Sequence, residues 1–388
     1  MALYARDGCA RVCDTKPRET RTEFLLCRRT VPSTIAHRQE QGFVVLGFIL
    51  QPGKPNSNYR VTIPMHALAN RGHEVVRLDD IEEDMPLRDL YCCDLVHCFR
   101  RKDRIADLRE LSRRGVAISF DNDDDFHSSD MLGGKSSLRG FRANRGFAAS
   151  FMAAARLADL VTTPSHTLAE KYRGAGAHRV VVVGNYLDPD DLCSNRRATH
   201  DGVVVGWVAG LEHAADLPQL KIVDALLRLL EVHAHMRVLT VGVRLPLHSD
   251  RYEHIKSVSH EELFRVVSGI DIGIAPLVDS PFNRARSDVK LKEYAAGGAA
   301  WVASPVGPYR GLGEKQGGLL VEDDNWFDAL DRLIRSRLLR ARLSRRASRW
   351  AKSQTIDRHA PVWEAEFQRA VERAGQRMIT AGERASLS

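Results

Sequence analysis

The length and composition of the chain are those of an ordinary globular protein with two domains. Its 388 residues are too many for one compact core, and a content of 44% hydrophobic and 28% charged residues excludes a fibrous or largely disordered protein. No apolar run reaches the roughly 20 residues of a membrane-spanning helix, and the formal net charge of +7 is concentrated near the C-terminus.

The N-terminus and the cysteines bear on the cellular compartment. The first 40 residues lack the apolar core of a secretory signal, so we expect a disordered or loosely attached extension there. Seven cysteines, an odd number, show neither a CxxC pair nor a metal-ligand spacing. This pattern favours a reduced, cytoplasmic setting.

Strands and helices alternate from residue 41 to residue 190. Apolar runs predict six strands in this stretch, at 43–50, 74–78, 94–99, 116–120, 157–165 and 179–183. Such alternation predicts a parallel sheet with helices on both faces. Residues 41–190 are therefore predicted to form an N-terminal α/β domain.

The alternation begins again after a polar segment, 191–202, which is predicted to be a linker. Five further strands are predicted at 203–208, 236–241, 270–277, 300–303 and 318–321. They define a second α/β domain over 203–350. The remaining residues, 351–388, are predicted to form helices and a tail.

The segment 282–298 carries the most informative motif. Ser287 is predicted to cap a helix that begins at Asp288 and ends at the Gly297-Gly298 pair. Unpaired amides at such a helix start attract an anion, and Lys290 adds a positive charge beside them. Glu293 can accept hydrogen bonds from two neighbouring hydroxyls, such as those of a ribose. A routine surface pair between Lys290 and Glu293 is the alternative.

This motif and its surroundings resemble the donor-binding domain of family 4 glycosyltransferases. The resemblance rests on the stretch from Ser287 to Tyr309 and continues through residues 317–326. It reaches back to residues 205–210 and 271–277, so it covers most of 203–350 in the family's order. The first domain matches more loosely, through Asn58, Tyr59 and Arg60 before a helix.

The resemblance implies the GT-B fold, in which two Rossmann-like domains face each other across a cleft and a final helix returns to the first domain. It implies that Glu293 holds the donor ribose. The other residues expected around the donor are Gly210, Arg244, Ser287, Lys290, Gly307, Pro308 and Tyr309. Most members of the family retain the anomeric configuration, and they need no metal. The resemblance therefore implies no cofactor, and the nucleoside diphosphate sugar is a co-substrate.

One departure from the family pattern concerns catalysis. Ala285 stands eight residues before Glu293, where the family has its first glutamate, and the usual basic pair after the first strand of the second domain is missing. Lys290 and Asp288 are therefore expected in the catalytic site, where Lys290 would stabilise charge on the leaving diphosphate. A front-face mechanism needs no protein nucleophile and tolerates Ala285.

The first domain offers candidates for catalysis and acceptor binding. His97 lies near the end of a predicted strand, where an open α/β sheet meets its ligand, and could act as a base; a structural role is the alternative. Asn58, Tyr59 and Arg60 follow the first strand and are expected to face the acceptor.

A run of carboxylates at 121–125, interrupted by Asn122, follows another strand. Asp123 and Asp124 are expected to bind amino or hydroxyl groups of an acceptor, and a divalent metal or a solvated loop are the alternatives. The loop 51–58 has neither the GxGxxG nor the Walker spacing, which argues against enzymes that use NAD or hydrolyse nucleoside triphosphates.

Nine basic residues lie between positions 332 and 352. We expect a solvated arginine-rich helix there, with a peripheral contact to an anionic membrane surface as the alternative. The segment lacks interleaved aromatic residues, so nucleic acid is not an expected partner.

The sequence thus predicts a glycosyltransferase that moves a sugar from a nucleoside diphosphate sugar to a small-molecule or glycan acceptor with retention of anomeric configuration. Alternatives on the same fold are a sugar-nucleotide epimerase and a pseudo-glycosyltransferase. A third alternative is not an enzyme at all but a non-catalytic scaffold that binds a nucleotide sugar. The sequence indicates no oligomeric state.

Overall fold

The computed structural model describes residues 44–49, 57–78, 87–126, 138–193 and 200–386. The expected N-terminal extension, most of the loop 51–58 and half of the predicted linker lie outside these ranges. Two parallel six-stranded sheets organise the described chain. They confirm the predicted α/β class.

The first sheet has the strand order β2-β1-β3-β4-β5-β6. Its strands are β1 (Val45–Ile49), β2 (Glu74–Leu78), β3 (Leu95–Phe99), β4 (Ala117–Asp121), β5 (Leu160–Thr163) and β6 (Val180–Val182). The helices between them are α1 (Ile63–Asn70), preceded by a π-helical turn over Asn58–Thr62, then α2 (Ile105–Arg113), α3 (Leu138–Leu157) and α4 (His166–Gly174). The order of connections reverses between β1 and β3, which is where such sheets bind ligands.

The second sheet has the order β12-β11-β10-β7-β8-β9. Its strands are β7 (Val203–Ala209), β8 (Met236–Gly242), β9 (Tyr252–Ile255), β10 (Ile272–Ala275), β11 (Ala300–Ala303) and β12 (Gly318–Leu320). This is the Rossmann order, and it reverses between β7 and β10. The prediction missed β9, because this short polar strand lies at the sheet edge and pairs with β8 alone.

Helices flank the second sheet and close the chain. They are α6 (Ile222–Val232), α7 (His260–Val267), α8 (Pro281–Arg284), α9 (Val289–Ala296), α10 (Trp326–Arg335), α11 (Arg337–Ser353) and α12 (Ile356–Ser386), and α5 (Pro189–Cys193) follows the first sheet. No helix within the described ranges is long and apolar enough to cross a bilayer.

The two chain segments that pass between the sheets lie side by side. Leu187 donates its amide to the carbonyl of Gln354 and accepts from the amide of Ile356, at 2.9 Å each. From there α12 packs on the first sheet, where Trp363 and Phe367 join the core that contains Phe48. The final helix therefore returns to the first domain.

Candidate functional site

The carboxyl ends of β7, β8, β10 and β11 bring most predicted donor residues to one edge of the second sheet. Gly210 follows β7, and Arg244 lies two residues beyond β8. Gly242 has φ +80°, and a side chain there would place its Cβ 2.1 Å from the carbonyl oxygen of Ala209. This close approach brings the backbone at Gly242 against the turn at Gly210, and Arg244 follows two residues later. Arg244 is exposed, and no described carboxylate forms an ion pair with it.

The turn after β11 lies against the segment after β10. Gly307 has φ +55°, and a Cβ there would lie 2.7 Å from the carbonyl oxygen of Asn283. Pro308 is half-buried, whereas Tyr309 is buried and burial raises the pKa of its phenol. The turn Gly307–Tyr309 therefore adjoins α8.

Helix α9 begins one residue later than predicted. Asp288 is its N-cap residue but makes no capping hydrogen bond, and its carboxylate pairs with Lys292 at 2.8 Å. The predicted cap, Ser287, instead accepts a hydrogen bond from Nδ2 of Asn185 at 3.1 Å. The cap prediction was wrong because Ser287 is engaged by the segment between the domains, which local sequence does not reveal.

Glu293 is a buried carboxylate shared by both domains. Its Oε2 accepts from Nζ of Lys290 at 2.7 Å, and its Oε1 accepts from the hydroxyl of Tyr59 at 2.8 Å. The ring of Tyr59 also meets His260 edge to face, with centroids 5.3 Å apart. The side chain of Glu293 is 4% exposed, so this is not the routine surface pair considered above.

His260 joins the same cluster from α7. Its Nε2 lies 3.4 Å from Oδ2 of Asp191. Burial lowers the pKa of His260, but Asp191 and Glu293 outweigh burial and leave it raised. Tyr59 therefore lies in a polar contact between domains, which the acceptor prediction did not foresee.

Ala285 is also a contact between the domains. It is fully buried and packs with the apolar core of the first domain. Its carbonyl oxygen accepts a hydrogen bond of 2.6 Å from Oγ of Ser165, the residue that caps α4. The position at which the resemblance would place a glutamate is thus a methyl group against an apolar surface.

We expect the Ala285→Glu variant to melt roughly 5 °C below the wild type. Burying a carboxylate without a partner at this contact should lower the unfolding free energy by about 2 kcal/mol or more. Ala285→Gln, similar in size but uncharged, should lose less. Differential scanning calorimetry measures both midpoints. Equal decreases in the melting midpoint would show that the size of the new side chain, and not its charge, causes the loss of stability.

His97 does not reach the cleft. Its side chain is fully buried, with Nδ1 3.0 Å from Oγ of Ser119 and Nε2 3.1 Å from the carbonyl oxygen of Arg60. The rings of Trp363 and Phe367 from α12 cover it at centroid distances of 5.4 and 5.5 Å. The side chain of His97 therefore lies in the core and not at the cleft. The prediction that His97 is catalytic was wrong, and its contacts support a structural role.

Burial lowers the pKa of His97 to about 4. Because the unfolded chain takes up a proton at its usual pKa of about 6.5, acid favours unfolding between these two values. Between pH 7 and pH 4.5 the wild type should lose about 2 kcal/mol more unfolding free energy than His97→Phe. Urea titrations at both pH values test this, and parallel losses would contradict it.

Arg60 is likewise buried rather than exposed to an acceptor. Its NH2 pairs with Oδ2 of Asp121 at 2.6 Å, and both side chains are fully buried. Its NH1 donates to the carbonyl of Val183 at 2.6 Å and to Oδ1 of Asn185 at 3.0 Å. Arg60 therefore ties β4 to the segment between the domains. Asn58, two residues earlier, is half-buried.

The carboxylates after β4 are paired with basic side chains. Arg100, at the end of β3, binds both Asp123 and Asp124, and its φ of +58° is uncommon for a residue with a side chain. Burial raises the pKa of Asp123 to about 6 in spite of Arg100. Asp125 pairs with Lys171. No cluster of three or more potential metal ligands occurs among the described residues.

Several solved structures share this architecture. An alpha-glucosyltransferase in complex with UDP and a 13-mer DNA matches with a TM-score of 0.62 and 13% identity over 84% of this chain and 99% of that one. Anabaena HepE in complex with UDP and glucose matches with a TM-score of 0.58 and 16% identity over 83% and 98%. The catalytic domain of Arabidopsis thaliana starch synthase IV, bound to ADP and acarbose, matches with a TM-score of 0.58 and 14% identity over 85% and 100%.

No family model matches the chain, and no curated protein matches it significantly by sequence. At sequence identities of 13% to 16%, these structural matches are evidence of a shared fold. Together with the two Rossmann-like sheets and the returning final helix, they give the chain the GT-B fold of these glycosyltransferases.

Proposed function

We propose that the chain is a glycosyltransferase that uses a nucleoside diphosphate sugar and retains the anomeric configuration. The observation that carries the proposal is the contact of Lys290 with the buried carboxylate of Glu293 at 2.7 Å, on helix α9 after β10, the strand at the switch point of the second sheet. Arg244, two residues beyond β8, follows a strand end at the same edge. Two of the structures of this fold named above contain UDP or ADP. Family 4 remains our assignment from the motif in 282–298.

Each group has a distinct role in donor binding. Glu293 accepts hydrogen bonds from the ribose hydroxyls. Lys290 and Arg244 supply positive charge to the diphosphate, together with the amides at the start of α9. Arg244 takes the role of the basic pair that the sequence lacks after β7. Ser287 and the turn Gly307–Tyr309 complete the walls of the site.

The reaction breaks the bond between the anomeric carbon and the diphosphate oxygen while an acceptor oxygen bonds to that carbon on the same face. The acceptor proton moves to the departing phosphate, so the atoms balance without a protein base. The main catalytic effect is then electrostatic: Lys290 and Arg244 stabilise charge that grows on the diphosphate. No metal enters this scheme, and Ala285 does not prevent it.

The acceptor side is assigned to the carboxyl ends of β3 and β4. Asp124, 15% exposed, and Arg100, 9% exposed, are the charged groups there that an acceptor can reach, whereas Asp123 is 3% exposed. Their opposite charges suit a small molecule or glycan with hydroxyl groups. We place the enzyme in a reducing, cytoplasmic setting because Cys98 is a buried free thiol.

We propose that the donor displaces Tyr59, because Tyr59 and Lys290 each bind one oxygen of Glu293 and leave its side chain 4% exposed. Tyr59→Phe removes this competitor and should lower the dissociation constant of UDP or ADP about fivefold, equivalent to one hydrogen bond of about 1 kcal/mol. Tyr172→Phe, which removes the hydroxyl of a tyrosine within the first domain, is the control. Isothermal titration calorimetry measures both, and weaker binding by Tyr59→Phe would contradict the competition.

The test of the function is a thermal-shift screen of UDP-, GDP-, ADP- and dTDP-sugars, followed by product analysis with the sugar that stabilises the protein. A ligand at 100 times its dissociation constant adds about 2.7 kcal/mol to stability. Stabilisation with transfer to an added acceptor supports the proposal. Turnover of the donor to an isomer without acceptor would identify an epimerase, and binding without any product would identify a scaffold.

A further inference from the structure

Helix α11 is the most strongly charged element of the described chain. Residues 337–353 include seven arginines and lysines and no acidic residue. Its inner face, Leu343, Ala347 and Ala351, is fully buried against the second domain. The rest of the helix is therefore fixed in place and presents its cations outward.

One face of α11 combines cations with an exposed leucine. Leu338, Arg342, Arg345, Arg349 and Lys352 are all exposed and follow one another at spacings of four, three, four and three residues. At about 100° per residue they lie within an arc of about 80°, and they extend over about 21 Å. We call these five residues the basic face.

Most cations of the basic face lack a carboxylate partner. Arg342 lies 3.3 Å from Glu314, which also binds Arg346 at 3.0 Å. Within the described ranges, Arg345, Arg349 and Lys352 pair with no carboxylate. Three full positive charges in one row thus face solvent together.

From this face we infer a docking surface for a membrane that contains anionic phospholipids. The exposed row is straight, so all its cations can reach one plane of headgroup phosphates. Leu338 is 84% exposed, and insertion between headgroups would remove its apolar surface from water. No aromatic side chain belongs to the basic face, so it lacks the stacking groups that single-stranded nucleic acids use.

The position of α11 leaves the candidate site free when the face is docked. Ala347 of α11 touches Gly317, which precedes β12, and Ser348 lies near Gly298, which precedes β11. These are the amino ends of the strands, whereas the donor residues lie at the carboxyl ends. Membrane docking is therefore independent of the proposed chemistry.

The experiment is flotation of the full chain with phosphatidylcholine vesicles that either contain or lack phosphatidylserine, at about 0.1 M salt. We expect binding only to the anionic vesicles. The triple variant Arg345→Gln/Arg349→Gln/Lys352→Gln should lose about 100-fold in partition coefficient, since each cation near such a surface contributes about fivefold. Leu338→Ser should lose a smaller factor.

The control variant Arg109→Gln/Arg113→Gln/Arg358→Gln removes three exposed arginines elsewhere and should bind as the wild type does. All variants keep residues 1–43, so any contribution of that segment cancels. Circular dichroism checks that each variant is folded. Equal binding to both vesicle types, or equal losses in the two triple variants, would overturn the inference. So would binding of duplex DNA through the same residues without binding of vesicles.

Discussion

The Arg60→Met variant is expected to lose about 3–5 kcal/mol of unfolding free energy, because it leaves Asp121 charged and buried without its cation. Arg60 and Asp121 are both fully buried, and the guanidinium also donates to Val183 and Asn185. Its Cζ atom lies 5.2 Å from the ring centroid of Trp363 in α12. The substitution thus removes contacts to β4, to the segment between the domains and to the final helix.

Two control variants separate charge burial from a general loss of packing. In Arg60→Met/Asp121→Leu neither charge remains, so a large part of the loss should be recovered. Arg71→Met removes an arginine from its pair with Glu364 at the surface, where Arg71 is 40% exposed, and should lose less than about 1 kcal/mol. Urea denaturation followed by circular dichroism measures all three. A loss for Arg60→Met no larger than that for Arg71→Met would contradict the expectation.

The strands of both sheets could be predicted because buried parallel strands are short apolar runs bounded by turns. The strand β3 is an example: all five of its residues are buried, and the run 94–99 stands out in the sequence. The strand β9 could not be predicted in this way, because its four residues, Tyr252–Ile255, include only one aliphatic side chain and none of them is fully buried. Its place depends on pairing with β8, which a local pattern does not contain.

The site could be predicted only where its residues are close in sequence. Lys290 and Glu293 are three positions apart on one helix, and their proximity followed from the motif. Tyr59 and Glu293 are 234 positions apart in the sequence, and no pattern in the residues around either of them predicts their contact. His97 was misjudged for a related reason, since the face of β3 on which it lies is covered by α12 from the far end of the chain.

Lys290→Ala should lower kcat/KM for sugar transfer by roughly 100- to 1,000-fold, the effect of removing one group that stabilises developing charge in an active site. Nζ of Lys290 binds Oε2 of Glu293, and Tyr59 binds Oε1 of the same carboxylate. In the proposed function, the donor displaces Tyr59 and the nucleotide then meets both Lys290 and Glu293. Lys290→Arg keeps the charge and should retain more activity than Lys290→Ala. Lys221→Ala, which removes a surface lysine paired with Asp324, should change the rate little.

The kinetic pattern distinguishes catalysis from donor binding alone. If Lys290 stabilises mainly the transition state, kcat falls and the dissociation constant of the nucleotide changes less; if it contributes only to binding, KM rises and kcat is kept. Glu293→Gln provides the contrast, because a ribose contact distant from the breaking bond should act mainly on KM. Initial rates with the donor identified by thermal shift separate these cases. Unchanged product formation by Lys290→Ala would refute the proposed role, because the proposal assigns Lys290 to the charge on the diphosphate.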